Sequence, residues 1–571
     1  MPVTSRDIEN VITKFEPFIK GSSDILIIGD TPTKDNIIDG KPFTGNGAKR
    51  IAAMLMNIGV NYYTAHKAVC LDYWPSNGDG FSETFSTKTK AAQFNAVPYG
   101  SLWITQHVKD CFEKLDAFID EVKPRKILAL GGFSLFALTG ETSISSWRGS
   151  ILRYVTKNGY ECVLLPTYNP VTLERKQSWA IPLQRDLYRF KDDNFAMPEF
   201  DFLVRGTFDQ YKEELDKILF DLDHAVDYKI KLAVDIETQR LPYMTVCGIA
   251  TSKTKAIVIP FVRFDQPSYF TVDEEFEIVK LLKKILTHEN AIIRGQNFQF
   301  DLQYFVANYG IKIHFHQDTM VMAHAIWTKN LELNLGFLAS MYCDWYRYWK
   351  DDGKDFHRKH KTVEEENKYW LYNGYDCCYT FEVADALEEH WEHETDLRKE
   401  LLKFQTKMQN KVVEPVLRGI RFDRKKQFAF GAKLDQLAKE YEDWFEYMIP
   451  NAYCSMQTKS PWWNSPTKLA NLLYKQWGID PVIEKKRPTT GGKAPSIIGE
   501  REPLLKLVMK KLDEYRSIEQ YRSLYIAAEP SPSDGRMRTQ YMLPGTDTFR
   551  LASKKDAFGY GMNLQNITKG D

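Results

Sequence analysis

The sequence predicts a multidomain α/β chain: two sheet-bearing units followed by a mainly helical segment. Short apolar runs bounded by glycine, "DILIIGD" (24–30), "KILALGG" (126–132) and "CVLLPTY" (162–168), alternate with helical stretches such as "AKRIAAMLMNIG" (48–59). That alternation is the mark of buried parallel strands joined by crossover helices. A second unit of the same kind opens at "KLAVDIET" (231–238), after the polar stretch "RFKDDNFAMPEFD" (189–201), which reads as a linker. From about residue 396, apolar positions recur at three- and four-residue spacing, as in "LLKLVMKKLDEYRSIEQYRSLYIAA", the period of amphipathic helices. The domains expected on this basis are 1–195, 196–395 and 396–571.

Length and composition agree with three cores. A chain of 571 residues with 43% hydrophobic and 13% aromatic content exceeds what one core can organise. Charge balances overall at 76 basic against 76 acidic residues, but unevenly: residues 401–571 hold 29 Lys and Arg against 19 Asp and Glu. A polyanion is therefore expected to be held toward the C-terminal part. The eight cysteines form no C-x-x-C pair and nothing about them resembles a secreted disulfide framework, so a reducing cytoplasm is the expected compartment. No apolar run approaches a membrane span, and the polar start "MPVTSRDIEN" lacks a signal-peptide core.

The chemistry sits in the middle unit. In "AVDIETQ", strand alternation turns Val234 and Ile236 to one face and Asp235 and Glu237 to the other. Paired carboxylates repel, and a divalent cation offsets that charge. "RGQNFQFDLQYF" adds Asp301 on an otherwise apolar stretch, and "YWLYNGYDCCYTFEVADAL" puts Tyr372 and Asp376 one helical turn apart.

Taken in this order, these segments, across roughly residues 225–390, resemble the DEDD-type 3′ to 5′ exonucleases whose third motif is Y-x-x-x-D. The resemblance implies a ribonuclease-H-like sheet in which Asp235, Glu237, Asp301 and Asp376 hold two Mg²⁺ or Mn²⁺ ions, Tyr372 orients the attacking water, and Asn297 contacts DNA.

Residues 22–190 resemble the uracil-DNA glycosylase superfamily through "GDTPTKDNIIDGKPFTGNG", "ILALGGFSLFALTGETSISSWRG" and "LLPTYNPVTLER". A parallel-sheet α/β/α domain is implied, with a degenerate pocket. Asp30 stands at the family's carboxylate position and Phe43 at its base-stacking position. Asn169 replaces the histidine that would stabilise the departing base, and an amide cannot be tuned toward imidazolium. The base-reading asparagine aligns with Ala65. The iron–sulfur cysteines of this branch have no counterpart, so no such cluster is expected.

The last segment resembles the thumb and start of palm of family A DNA polymerases, through "VVEPVLRGIRFD", "NSPTKLANLLYKQWGI", "DTFRLASKK" and "MNLQNI". The resemblance implies contacts from Arg550, Asn563 and Gln565 to primer-template DNA. The palm's metal-binding aspartates and the fingers find no counterpart in residues 1–571. Either a separate C-terminal polypeptide carrying palm and fingers is an expected partner or the sequence is a truncated version of a longer polymerase, and the stretch after about residue 530 is expected to be poorly ordered without those parts. The domain order is similar to that of replicative polymerases of large lytic bacteriophages, which places the protein in the cytoplasm of a bacterial host. The expected function is proofreading hydrolysis of DNA 3′ ends; the alternative is a non-catalytic DNA-binding scaffold completed by its partner.

Overall fold

The computed structural model describes residues 15–75, 78–239, 241–352, 362–484 and 486–567. The chain divides into two compact units, Met1–Asn410 and Lys411–Asp571.

The first unit contains two six-stranded sheets. One runs in the order Phe18–Ile19, His66–Val69, Ile25–Gly29, Lys126–Leu130, Glu161–Thr167, Leu152–Val155. Its four central strands are parallel and both edges are antiparallel. Alternation divides each central strand between two cores. Ile27, Leu128 and Leu165 meet the helices Asn46–Asn57 and Ala180–Asp192 through Ile51, Leu55, Leu183 and Leu187. Leu26, Ile28, Ile127 and Leu164 meet Gln106–Val122 and Gly132–Thr139 through Val108, Leu115, Phe133 and Phe136. Burial on both faces explains why these strands read as continuous apolar runs. The result is the α/β/α layering that the sequence predicts.

The stretch 189–201 differs from the expected linker. The helix Ala180–Asp192 runs through its first residues, with Arg189 5% exposed, and Asp201–Leu203 already belongs to the second sheet. Buried partners for the guanidinium outweigh the polar composition that suggested a linker.

The second sheet is mixed and ribonuclease-H-like, in the order Asp201–Leu203, Lys255–Pro260, Val246–Ala250, Ile230–Glu237, Ala291–Gly295, Gln317–Asp318. The strand Ile230–Glu237 pairs antiparallel with Val246–Ala250 and parallel with Ala291–Gly295. Across it lies the long helix Val363–Glu392, opened by a capping box between Thr362 and Glu365. Gly248 lets this helix approach: a Cβ there would stand 2.3 Å from Asn373 Oδ1 and 2.5 Å from Cys377 Sγ. Arg294, fully buried, ties strand to helix through Asp385 at 2.8 Å and Glu388 at 2.7 Å.

The second unit is mostly helical. Arg424–Met448 and Lys506–Tyr521 pack through Leu434, Phe445, Leu512 and Tyr515 around Trp462 and Leu473. The expectation of disorder after residue 530 is not what the structure shows. Gln540–Met542 pairs with Ala552–Lys554, and Ile420 and Met537 exchange backbone hydrogen bonds of 2.8 and 2.9 Å. Met537 and Met562 find apolar partners in Phe422 and Ala528 inside this unit, so the segment packs against residues that precede it in the same unit.

Candidate functional site

The strand Ile230–Glu237 behaves as its alternation requires: Val234 and Ile236 are buried beneath it, while Asp235 and Glu237 turn to the opposite face. The long helix brings Asp376 to them. One carboxylate oxygen from each of Asp235, Glu237 and Asp376 lies within 4.8 Å of the other two. Asp301 is 4% exposed, its Oδ1 accepts from Ile236 N at 3.0 Å, and it feels the charges of Asp235 and Glu237. Three of the four carboxylates therefore meet directly, and the fourth braces the strand that carries two of them.

Four further side chains complete the site. The Asn373 amide donates to Asp235 Oδ2 at 2.8 Å. The Tyr369 hydroxyl donates to Glu237 Oε2 at 3.3 Å. Trp349 Nε1 donates to Asp376 Oδ1 at 2.6 Å. Lys350 Nζ lies 2.7 and 2.6 Å from the two Asp376 oxygens and 3.1 Å from the Tyr372 hydroxyl. Tyr369 was accessible to sequence reasoning, because 369, 372 and 376 follow one helical face. Lys350 and Trp349 carry no such signal, since only the tertiary fold brings their loop to Asp376.

Electrostatics sets the chemistry. Burial, then the charge of Asp376, pushes the Asp235 carboxyl up to about 8. Burial and the charges of Asp235 and Asp376 raise Glu237 well above the carboxylate range, and burial followed by Asp235 does the same to Asp301. Lys350 pulls Asp235 and Glu237 the other way but does not cancel the crowding. Close, partly buried carboxylates with less positive charge than they need are a hard-oxygen donor set suited to Mg²⁺ or Mn²⁺. The Tyr372 phenol is raised far above its ordinary value by burial and by Asp376, so it stays protonated and can donate.

The first sheet carries a second pocket, a cavity of about 270 Å³ lined by Asp30, Phe43, Val69, Asn169 and their neighbours. Asp30 Oδ1 is turned inward onto the N-terminus of the helix Gly132–Thr139, accepting from Phe133 N at 2.9 Å and Ser134 N at 2.8 Å. Burial nonetheless lifts its carboxyl to about 6, with Asn169 among the groups that oppose the rise. Gly131, at φ +116°, is required because a Cβ would stand 1.9 Å from Asp30 Oδ2. Phe43 holds a left-handed φ of +62°. Ala65 does not line the pocket. It is buried in the core with Ile27 and Leu55, and Val69 faces the cavity instead; the alignment that placed the base-reading position at Ala65 is corrected accordingly.

The proposed DNA contacts fall in separate places. Asn297 has φ +54° and donates its backbone N–H to Asp318 Oδ1 at 3.0 Å, in the turn before the helix Gln299–Tyr309. In the second unit, Asn563 Oδ1 accepts from Gln565 N at 3.0 Å and from the Ser553 hydroxyl, while the Gln565 amide donates to Leu551 O at 2.8 Å. Arg550 is exposed beside them.

These two folds and the carboxylate cluster define a nuclease domain joined to a glycosylase-like one. Residues 210–392 match the family model described as 3′-5′ exonuclease, and residues 16–189 match that of the uracil DNA glycosylase superfamily. No curated protein matches the chain. Among solved structures, the POL domain of Pol1 from M. smegmatis, in complex with DNA primer-template and dNTP, is similar at 19% identity and a TM-score of 0.42. That similarity covers 62% of this chain and 54% of that one, so the chain spans about half of the structure it matches. Among the described residues, no helix is long and apolar enough to cross a membrane.

Proposed function

We propose that this chain hydrolyses DNA from the 3′ end, as the proofreading and DNA-holding part of a phage family A DNA polymerase. The observation that carries the proposal is the convergence of Asp235, Glu237 and Asp376 within 4.8 Å, with Tyr372 one turn from Asp376. Divalent cations bound there would supply an activated water and positive charge at the leaving 3′ oxygen. Asn373 and Trp349 orient Asp235 and Asp376, so the carboxylates meet a ligand in one arrangement rather than many. Tyr372 offers a protonated hydroxyl to a water or phosphate oxygen. Asp301, held on Ile236 N, keeps the strand in register beneath them.

The polymerase part of the proposal rests on the segment ending at Gln565 and on the basic excess of residues 401–571, which suits a phosphate backbone. In it Arg550, Asn563 and Gln565 reach primer-template DNA, and the two amides exchange their present intramolecular partners for it. The direct test compares 5′-labelled and 3′-labelled single-stranded oligonucleotides in Mg²⁺ or Mn²⁺. The proposal predicts a descending ladder from the 5′ label, immediate release of mononucleotide from the 3′ label, and no reaction in chelator. Internal cleavage, or degradation that proceeds in chelator, would contradict it.

A further inference from the structure

The loop that brings Lys350 to the nuclease site is built against the glycosylase-like region. Arg148 and Asp186, both fully buried in that region, form an ion pair, and Arg148 Nη1 also donates to Ser340 Oγ at 2.6 Å. Arg189 donates to Ser340 O at 3.0 Å and Cys343 O at 2.7 Å. Backbone bonds continue the contact: Ile151 N to Tyr346 O at 2.8 Å, and Tyr348 N to Ser150 Oγ at 3.0 Å. The Tyr346 hydroxyl donates to Ser146 O at 3.2 Å, and Tyr348 packs edge-on against Trp147 at 5.2 Å. Ser340, Cys343, Tyr346 and Trp349 are all buried. The next residues are Trp349 and Lys350, both hydrogen-bonded to Asp376. Residues 340–350 thus connect two regions whose sequence motifs give no hint of a link.

A chain segment fixed at four of its residues, Ser340, Cys343, Tyr346 and Tyr348, has few conformations left, so little further entropy is lost in holding its end residues in place. An ammonium within 2.7 Å of both Asp376 oxygens takes part of the charge compensation that a bound cation supplies. We propose that the glycosylase-like region serves as a positioning partner of the nuclease site: it fixes residues 340–350 so that Lys350 stands among the carboxylates as a resident cation, which a divalent metal must displace. The region would then set the metal affinity of the nuclease without any chemistry of its own. This rests on the reading of the cluster as a metal site, and the test separates the two.

The test is a double-mutant cycle on the full chain, read by Mn²⁺ binding in electron paramagnetic resonance. Lys350→Met removes the ammonium and should tighten Mn²⁺ binding by about fivefold or more. Arg189→Gln, which loosens the loop from the far side, should also tighten it, by roughly two- to threefold. In the double variant, Arg189→Gln should add nothing, because the lysine through which it acts is gone. If Arg189→Gln does not fold, Tyr346→Phe, which loses only the bond to Ser146 O, takes its place. Wild-type binding that neither variant alters, or an Arg189→Gln effect of full size in the Lys350→Met background, would overturn the coupling alone. Absence of Mn²⁺ binding in every form would overturn the metal-site reading and the coupling with it.

Discussion

The first unit buries carboxylates in two pockets and treats them differently. Asp30 meets two backbone N–H groups at a helix N-terminus, donors that the fold supplies by itself. Asp235, Glu237 and Asp376 crowd within 4.8 Å of one another, and the donors they find in Asn373, Tyr369, Trp349 and Lys350 still leave Asp235 and Glu237 raised. A carboxylate that rests on backbone N–H groups is part of the architecture, whereas a cluster in which Asp235 and Glu237 are raised by burial and then by their carboxylate neighbours is arranged for a positive ligand. The two pockets share a burial cost and differ in what lowers it.

The sharpest way to break this contrast on the architectural side is Gly131→Ala. A Cβ at 1.9 Å from Asp30 Oδ2, on a backbone at φ +116°, should cost about 3 to 4 kcal/mol of stability. Chemical denaturation would measure it. If Asp30 were loosely held, the cost would fall below about 1 kcal/mol.

Asp30→Asn tests the same pocket through pH. The folded protein holds the Asp30 proton up to about 6, above its ordinary value of 3.8. Stability from this group is therefore full below about pH 4 and is lost as pH rises through 6. Relative to Asp30→Asn, the wild type should lose about 2 to 3 kcal/mol between pH 4 and pH 8. A difference between the two that stays flat with pH would show Asp30 to be well solvated.

On the nuclease side, Gly248→Ala forces a methyl against Asn373 and Cys377, displacing the helix that carries Asp376. About 1 to 3 kcal/mol of stability should go, with hydrolysis reduced roughly tenfold or more by ångström-scale misplacement of Asp376. Retained full activity would mean that the helix position is not what aligns the carboxylates. The smallest effect expected is in the glycosylase-like pocket's own chemistry. A uracil-containing oligonucleotide incubated with an Asp235→Ala variant and then treated with alkali should remain intact, because the pocket offers the Asn169 amide where the glycosylase resemblance implies a histidine. Cleavage at the uracil would show the pocket to be active.

How far these features were legible depended on how local they are. The strand Ile230–Glu237 and the helix bearing Tyr372 and Asp376 follow from periodicity, and the glycine-bounded parallel strands from their apolar runs. Lys350 and Trp349 were not legible: 26 residues separate Lys350 from Asp376, and the loop's course depends on side chains such as Arg148 and Arg189 far upstream. Val69 replaced Ala65 at the pocket because local alignment fixes a strand but not which residue of it faces a cavity. Residues 530–567 were misjudged for a related reason, since the partners that bury Met537 lie about a hundred residues earlier, at Phe422.

The proposed chemistry on DNA belongs to Asp235, Glu237 and Asp376, and none of it to Asp30. One experiment addresses it: digestion of a 5′-labelled single-stranded oligonucleotide in Mg²⁺ by the wild type, by Asp235→Ala with Glu237→Ala, and by Asp30→Asn. The account predicts that the double variant loses about 10³-fold or more of the rate, while Asp30→Asn keeps it within about twofold. A double variant that digests the strand as fast as wild type would contradict the account.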